Sequence, residues 1–301
     1  MSGQLYVVAT PIGNLGDITL RALEVLAAVP LIAAEDTRHS RRLLDRHQLS
    51  TRMISYHARN AASRRAELLD HLRAGKDLAV ITDAGTPTVS DPGDDLVRAW
   101  AAEGGIVVPI PGASAVLAAV ASSGLAGPRW VFEGFLPRKG RERRERLARI
   151  AADDRATIVY EAPRRVAATL ADLATACGGD RSGSVCRELT KLHETIERGP
   201  LDALAVRARD GAIPARGEFV LVIGSRDPHD DAAAGADAAR AGAASFGTDR
   251  ADRLAGALYE VQRLVDGGLG RSEAARAVAS ASGFPRRALY RPNQSDQETS
   301  E

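Results

Sequence analysis

The sequence predicts an α/β protein of two domains, the first on a parallel sheet and the second on a mixed sheet, followed by a small helical region. Three observations carry this. Short apolar runs alternate with stretches of helical spacing through the first 124 residues. Beyond Gly124 a densely charged helix and further strand signals follow. From about residue 225 the chain turns to Ala, Gly and Asp, the composition of a linker. The expected divisions are 1–124, 125–226, a linker at 227–248, and helices with a disordered tail at 249–301.

The elements follow in order. Residues 5–9 form a short apolar strand, and 18–29 space their apolar side chains as a helix does. A second strand at 31–34 precedes helical stretches at 41–46 and 61–74, where Ser63 is a capping residue with Glu67 nearby. Residues 78–81 and 106–110 are strands, with helices at 96–103 and 115–122. Strands alternating with helices argue for a parallel sheet covered on both faces. In the second domain, strands are expected at 130–134, 156–160, 184–187 and 219–223, with helices at 141–151 and 166–177. The C-terminal region shows helical spacing at 253–265 and 273–281.

Bulk properties bound the function. A chain of 301 residues, 45% hydrophobic and 26% charged, can bury two cores. Its net charge is +1, so any attraction for a polyanion must be local. Cys177 and Cys186 lack zinc-site spacing and are too few for a disulfide framework, which points to a reduced, cytoplasmic setting. The start, Met1-Ser2-Gly3-Gln4-Leu5, has no basic stretch of the kind that opens a secretory signal. Residues 104–128 carry no charge, but Pro109, Pro111 and Gly112 break any membrane-spanning helix there. No metal-ligand cluster is evident.

Four strands of the first domain end in shaped loops. These are Thr10-Pro11-Ile12-Gly13-Asn14-Leu15, Glu35-Asp36-Thr37-Arg38, Thr82 to Gly93, and Pro111-Gly112-Ala113-Ser114. In an open parallel sheet the carboxyl ends of the strands face one crevice, where ligands bind. Four such loops at one edge predict one shared site. Gly allows positive φ and close backbone approach, and Pro removes conformational freedom. Neither G-x-G-x-x-G nor a Lys following Gly appears in these loops, which argues against nicotinamide cofactors and nucleoside triphosphates.

Eight motifs then occur in order: LYVVATPIGNLGDITLRALEVL, AAEDTRHSRRLL, ITDAGTPTVSDPG, VVPIPGASAVLAAVASSGL, FEGFLPRKGRERRERL, YEAPRR, RELTKLHETIERG and GEFVLVIG. Together they resemble the bacterial 16S rRNA cytidine 2′-O-ribose methyltransferases of the tetrapyrrole methylase superfamily, the class III S-adenosylmethionine methyltransferases. The resemblance spans about residues 5–224 and continues weakly beyond. It implies S-adenosylmethionine in a cleft between the two α/β domains. It also implies 16S rRNA in the 30S subunit as partner, and a homodimer. Carried onto this chain, it implies cofactor contacts from Pro11, Asp83, Gly85, Thr86, Val89, Ser114 and Ala115. From the second domain it implies Tyr160, Glu161, Leu189 and Gly217. Family members often have His where this chain has Arg164, so no proton-transfer role is given to that position.

The ribose hydroxyl needs a proton acceptor. Among Glu35-Asp36-Thr37-Arg38-His39, Asp36 is the first choice for the base, and Arg38 completes the catalytic pair through a phosphate contact. Asp36 also suits a helix N-cap, and His39 reads as a surface residue. RNA contacts are expected from Arg38, Arg41, Arg42, Arg138, Lys139, Arg141, Arg143, Arg144 and Lys191. A charged helix such as 141–149 can equally be a solvated face. The stretch Arg187 to Lys191 could order the cleft or meet RNA. Two other readings stay open: a precorrin or uroporphyrinogen methyltransferase, and a non-catalytic ribosome-assembly factor.

Overall fold

The computed structural model describes residues 2–226, 250–266, 269–282 and 284–289. The expected linker at 227–248 and the tail from residue 290 lie outside the described residues. Residues 1–226 form one compact unit and residues 227–301 a second.

The first unit begins with β1 (Gln4–Val8), α1 (Leu20–Ala28), β2 (Leu31–Ala34), α2 (Thr37–Arg46) and β3 (Met53–Ser55). It continues with α3 (Ala61–Arg73), β4 (Leu78–Ile81), α4 (Asp94–Ala102), β5 (Ile106–Ile110) and α5 (Ala115–Ser123). The five strands form one sheet in the order β3-β2-β4-β1-β5, every pair parallel. Side-chain alternation covers both faces. Leu5, Leu31, Ala33, Leu78 and Val80 pack with Leu68, Leu72, Leu96 and Trp100 of α3 and α4. Val8, Ile32, Ala34, Ala79 and Ile81 pack with Ala22, Leu26, Leu43 and Leu44 of α1 and α2. This explains why β2 and β4 are unbroken apolar runs: each is buried on both sides.

The second half contains β6 (Trp130–Phe135), α6 (Arg141–Ala152), β7 (Ala156–Glu161), α7 (Val166–Cys177) and β8 (Ser182–Arg187). β9 (Thr195–Pro200), α8 (Leu201–Arg209) and β10 (Phe219–Ile223) complete it. Its sheet has the order β6-β7-β10-β8-β9, parallel only between β6 and β7. One face packs on α6, α7 and α8 through Val159, Val185, Leu221 and Ile223. The other face, with Ile158, Cys186, Val220 and Val222, packs on Val116 and Ala119 of α5. The uncharged stretch at 104–128 thus runs from β5 of the first sheet into α5, whose inner face packs on the second sheet. Arg198 of β9 donates to the carbonyls of Ser122 and Ser123 at the end of α5.

Several local expectations are corrected. α2 starts at Thr37 rather than 41, because the Asp36 side chain accepts the Arg38 N–H at 2.8 Å and caps the helix. Ser63 lies inside α3 and donates to the Asn60 carbonyl instead of capping it. β3, β9 and α8 were not anticipated. β9 is polar and forms by pairing with β8. In the second unit, helices α9 (Arg250–Asp266), α10 (Arg271–Ser282) and α11 (Arg286–Leu289) enclose a small core of Ala257, Val261, Ala274, Ala275, Val278 and Leu289. Among the described residues, no helix is long and apolar enough to cross a membrane.

Candidate active site

Strand order places the site. β4, β1 and β5 are neighbours, so the loops at their carboxyl ends meet. Thr10 and Gly85 exchange backbone hydrogen bonds of 2.9 and 3.0 Å, which ties the β1 loop to the β4 loop. Thr86 Oγ1 donates to the Ala113 carbonyl at 3.3 Å, tying the β4 loop to the β5 loop. Gly85 has φ +83°, and an added Cβ would lie 3.4 Å from Ile12. Only Gly takes that conformation without strain.

Against these loops the second sheet supplies a wall. Together they enclose a cavity of about 380 Å³, within the range of small-molecule sites. Gly85, Thr86, Val89, Ser114 and Ala115 line it from the loops of the first sheet. Tyr160, Glu161, Leu189 and Gly217 line it from the second half of the unit. Tyr160 is held by Phe132 and Phe135, with ring centroids 4.9 and 5.5 Å away. Burial pushes its hydroxyl up to about 12. Two cavity residues sit between strained neighbours. Thr88 and Ser90 flank Val89 with φ of 74° and 66°, and Glu188 and Thr190 flank Leu189 with φ of 52° and 66°. Non-glycine residues seldom adopt such angles, and they cluster where a loop must present a ligand surface.

Glu161 is committed to the wall. Its carboxylate accepts from the Ala162 N–H at 2.7 Å and the Thr169 hydroxyl at 2.6 Å, and pairs with Arg165 at 3.1 Å. Lys191 is also committed. It bonds Glu188 at 2.9 Å and Glu218 at 3.1 Å, and its stem lies where a Cβ on Gly13 would go. Of the two alternatives for the stretch Arg187 to Lys191, the contacts support ordering of the cleft. Lys191 is accordingly not carried into the RNA surface.

Two expected cofactor residues stand elsewhere. Pro11 is buried behind the loop and Ile12 takes the wall. Asp83 faces a second, polar cleft of about 520 Å³, which also contains Glu35, Asp36, Arg38, His57 and Arg59. The four loops thus make two clefts rather than one, because β2 and β3 lie on the far side of β4. Asp83 Oδ1 accepts the Asp36 N–H at 3.1 Å, and the Asp83 N–H donates to Glu35 at 3.3 Å. The Asp36 carboxylate is engaged by Arg38 in an ion pair of 2.8 Å and by the start of α2. Arg38 holds Asp36 well below the usual carboxylate range, which makes it a weak proton acceptor.

Asp91 is the site residue that sequence reasoning missed. It lines the cavity. Burial, then the charges of Glu35 and Asp83, push it up to about 7. Its signal lay in the Ser90-Asp91-Pro92-Gly93 run, which reads equally well as turn chemistry.

The basic residues divide. Arg138, Lys139, Arg141 and Arg144 are exposed, just past Phe135 of the cavity wall. Arg38 and Arg42 are exposed and Arg41 half-buried. Arg143 is 8% exposed and points inward. It donates to Asp172 at 2.7 and 2.9 Å, to the Pro137 carbonyl at 2.9 Å and to Thr169 at 3.0 Å. Its expected role as an RNA contact gives way to a structural one.

Residues 4–205 match the family model of the tetrapyrrole (corrin/porphyrin) methylases. The chain belongs to the tetrapyrrole methylase family. It is 46% identical over 288 residues to the ribosomal RNA small subunit methyltransferase I of Synechocystis sp., covering 96% of each chain. It is 47% identical to that of Mesorhizobium japonicum, covering 77% of this chain and 79% of the relative. Among solved structures of the family's fold, a cobalt precorrin-4 methyltransferase matches with TM-score 0.58 and 18% identity, over 73% of this chain and 94% of that one. A uroporphyrin-III C-methyltransferase from Thermus thermophilus, complexed with S-adenosyl homocysteine, matches with TM-score 0.53 and 19% identity, over 74% and 97%. This family member is an S-adenosylmethionine-dependent methyltransferase, an enzyme, and the cavity fits that cofactor. Its walls are largely apolar, as those of small-molecule sites are.

Proposed function

We propose that the chain methylates the ribose 2′-hydroxyl of a cytidine in the decoding region of 16S rRNA, acting on the small ribosomal subunit. The observation that carries this is the match over 96% of both chains to a ribosomal RNA small subunit methyltransferase I. The surface supports it. Exposed Arg138, Lys139, Arg141 and Arg144 begin three residues beyond the cavity residue Phe135, where they can meet phosphates as the target nucleotide enters. Arg38 and Arg59 border the second cleft and extend the same chemistry. Aromatic residues are only 4% of the chain, so recognition by RNA shape and backbone suits it better than base stacking. A cytoplasmic homodimer is part of this reading.

Gly85, Thr86, Val89, Ser114, Ala115, Tyr160, Leu189 and Gly217 would hold S-adenosylmethionine. When bound, it supplies a methyl group made electrophilic by the sulfonium. The protein's share is to fix both partners at reacting distance, to exclude water and to receive the hydroxyl proton. Rigid loops serve the first task, because the Thr10–Gly85 bridge and the strained turns leave little freedom.

The test is transfer from labelled S-adenosylmethionine to 30S subunits from a strain lacking the modification, with nucleoside analysis. Label in 2′-O-methylcytidine is the expected result. Tight cofactor binding with no transfer to 30S subunits or free 16S rRNA would turn the assignment toward tetrapyrrole substrates or a non-catalytic role.

A further inference from the structure

The cavity wall contains three carboxylates, Asp91, Glu161 and Glu218. Glu161 is consumed by three partners within the wall. Glu218 is paired with Lys191 and is 71% exposed. Asp91 is half-buried, and among the described residues no cation pairs with it. The groups facing it are Glu35 at the end of β2, Thr82 just after β4, Asp83 on the β4 loop and Tyr160 on β7; Thr82 partly offsets the upward push of burial and the two carboxylates. Those carboxylates belong to the polar cleft. Asp91 thus lines the cofactor cavity within electrostatic reach of two carboxylates of the cleft bordered by Arg38 and Arg59.

We propose that Asp91 takes the proton of the substrate hydroxyl as that oxygen attacks the methyl carbon. This rests on the methyl-transfer reading above and names the residue that serves it. The new bond is oxygen to methyl carbon. The carbon–sulfur bond breaks and its electron pair stays on sulfur, leaving a neutral thioether. The hydroxyl proton passes to the Asp91 carboxylate and from there to water. A base must lose its own proton near the working pH and keep strong affinity for the next one. Burial without a cation, beside like charges, gives Asp91 that balance, whereas Asp36 beside Arg38 lacks it.

The experiment compares the unsubstituted protein, Asp91→Asn, Asp91→Glu and Asp36→Asn. Cofactor affinity is measured by calorimetry, and single-turnover transfer to unmodified 30S subunits is followed from pH 5.5 to 9. The unsubstituted rate should rise about tenfold per pH unit and level off near 7. Asp91→Asn should lower transfer by about 10²–10⁴-fold, abolish the break in the pH profile, and leave cofactor affinity within about threefold of the parent. Asp91→Glu should restore part of the rate and the break. In ¹³C carboxyl spectra, the resonance lost in Asp91→Asn should titrate near 7. Transfer by Asp91→Asn at the parent rate, or a break lost in Asp36→Asn instead, would overturn the assignment alone. A titration near 4 would do the same. No transfer by the unsubstituted protein would overturn the methyl-acceptor reading, and this assignment with it.

Discussion

Replacing Arg143 by Met should unfold the protein more readily without addressing RNA directly, whereas replacing Arg144, its neighbour in sequence, should do the reverse. Arg143 makes four hydrogen bonds, two of them to Asp172, from a side chain that is 10% exposed. Removing one partner of a buried pair costs about 3–5 kcal/mol, mostly through the charge left behind. Here the charge left behind is Asp172, which is 47% exposed and can recover water. Thr169 keeps its bond to Glu161. The lower end therefore applies, about 3 kcal/mol. At about 2–4 °C per kcal/mol for a unit of this size, the melting temperature falls by roughly 6–12 °C. Arg144 is exposed on the same helix, and Arg144→Ala should change stability by less than about 0.5 kcal/mol. Its effect belongs in the salt dependence of 30S or 16S rRNA binding, where one lost phosphate contact lowers the log–log slope by about 1. Calorimetric melting and filter binding at several salt concentrations give both numbers. A melting shift under 2 °C for Arg143→Met would refute the buried-pair argument. An unchanged slope for Arg144→Ala would place the RNA elsewhere.

Other outcomes follow from the site. Because Asp91 is favoured in its protonated form in the fold, its contribution to stability falls as pH rises from about 4 through about 7. The change from 3.8 to about 7 corresponds to roughly 4 kcal/mol, and solvent access to this half-buried group reduces it to about 2. Asp91→Asn should thus melt several degrees above the parent at pH 8, with the gain vanishing toward pH 4; equal gains at both would exclude titration as the cause. Gly85→Ala forces a side chain into φ +83°, and should cost about 1–2 kcal/mol and weaken cofactor binding in calorimetry. Lys191→Met takes the shared cation from Glu188 and from the cavity residue Glu218, so cofactor affinity should drop while the salt slope of RNA binding stays as it was. Asp36→Ala removes the α2 cap, a loss of about 1 kcal/mol readable in chemical denaturation.

What the sequence determined was the alternation of buried strands and helices. Residues 31–34 and 78–81 are apolar throughout, as strands covered on both faces are. It also determined the loop chemistry. Gly85, Thr86, Val89, Ser114, Ala115, Tyr160, Glu161, Leu189 and Gly217 were legible through ordered motifs and do line one cavity. What only the tertiary structure decided was the company each charged group keeps. Strand order sets β2 and β3 on the far side of β4, so the Glu35 to Arg38 loop and Asp83 form a separate cleft. Helix phase turns Arg143 inward to Asp172 while Arg144 faces water. The ion pair with Arg38 weakens Asp36 as a base, whereas burial beside the charges of Glu35 and Asp83 strengthens Asp91. A carboxylate's proton affinity depends on groups distant in sequence and close in space. Local spacing carries backbone periodicity, but it does not carry that.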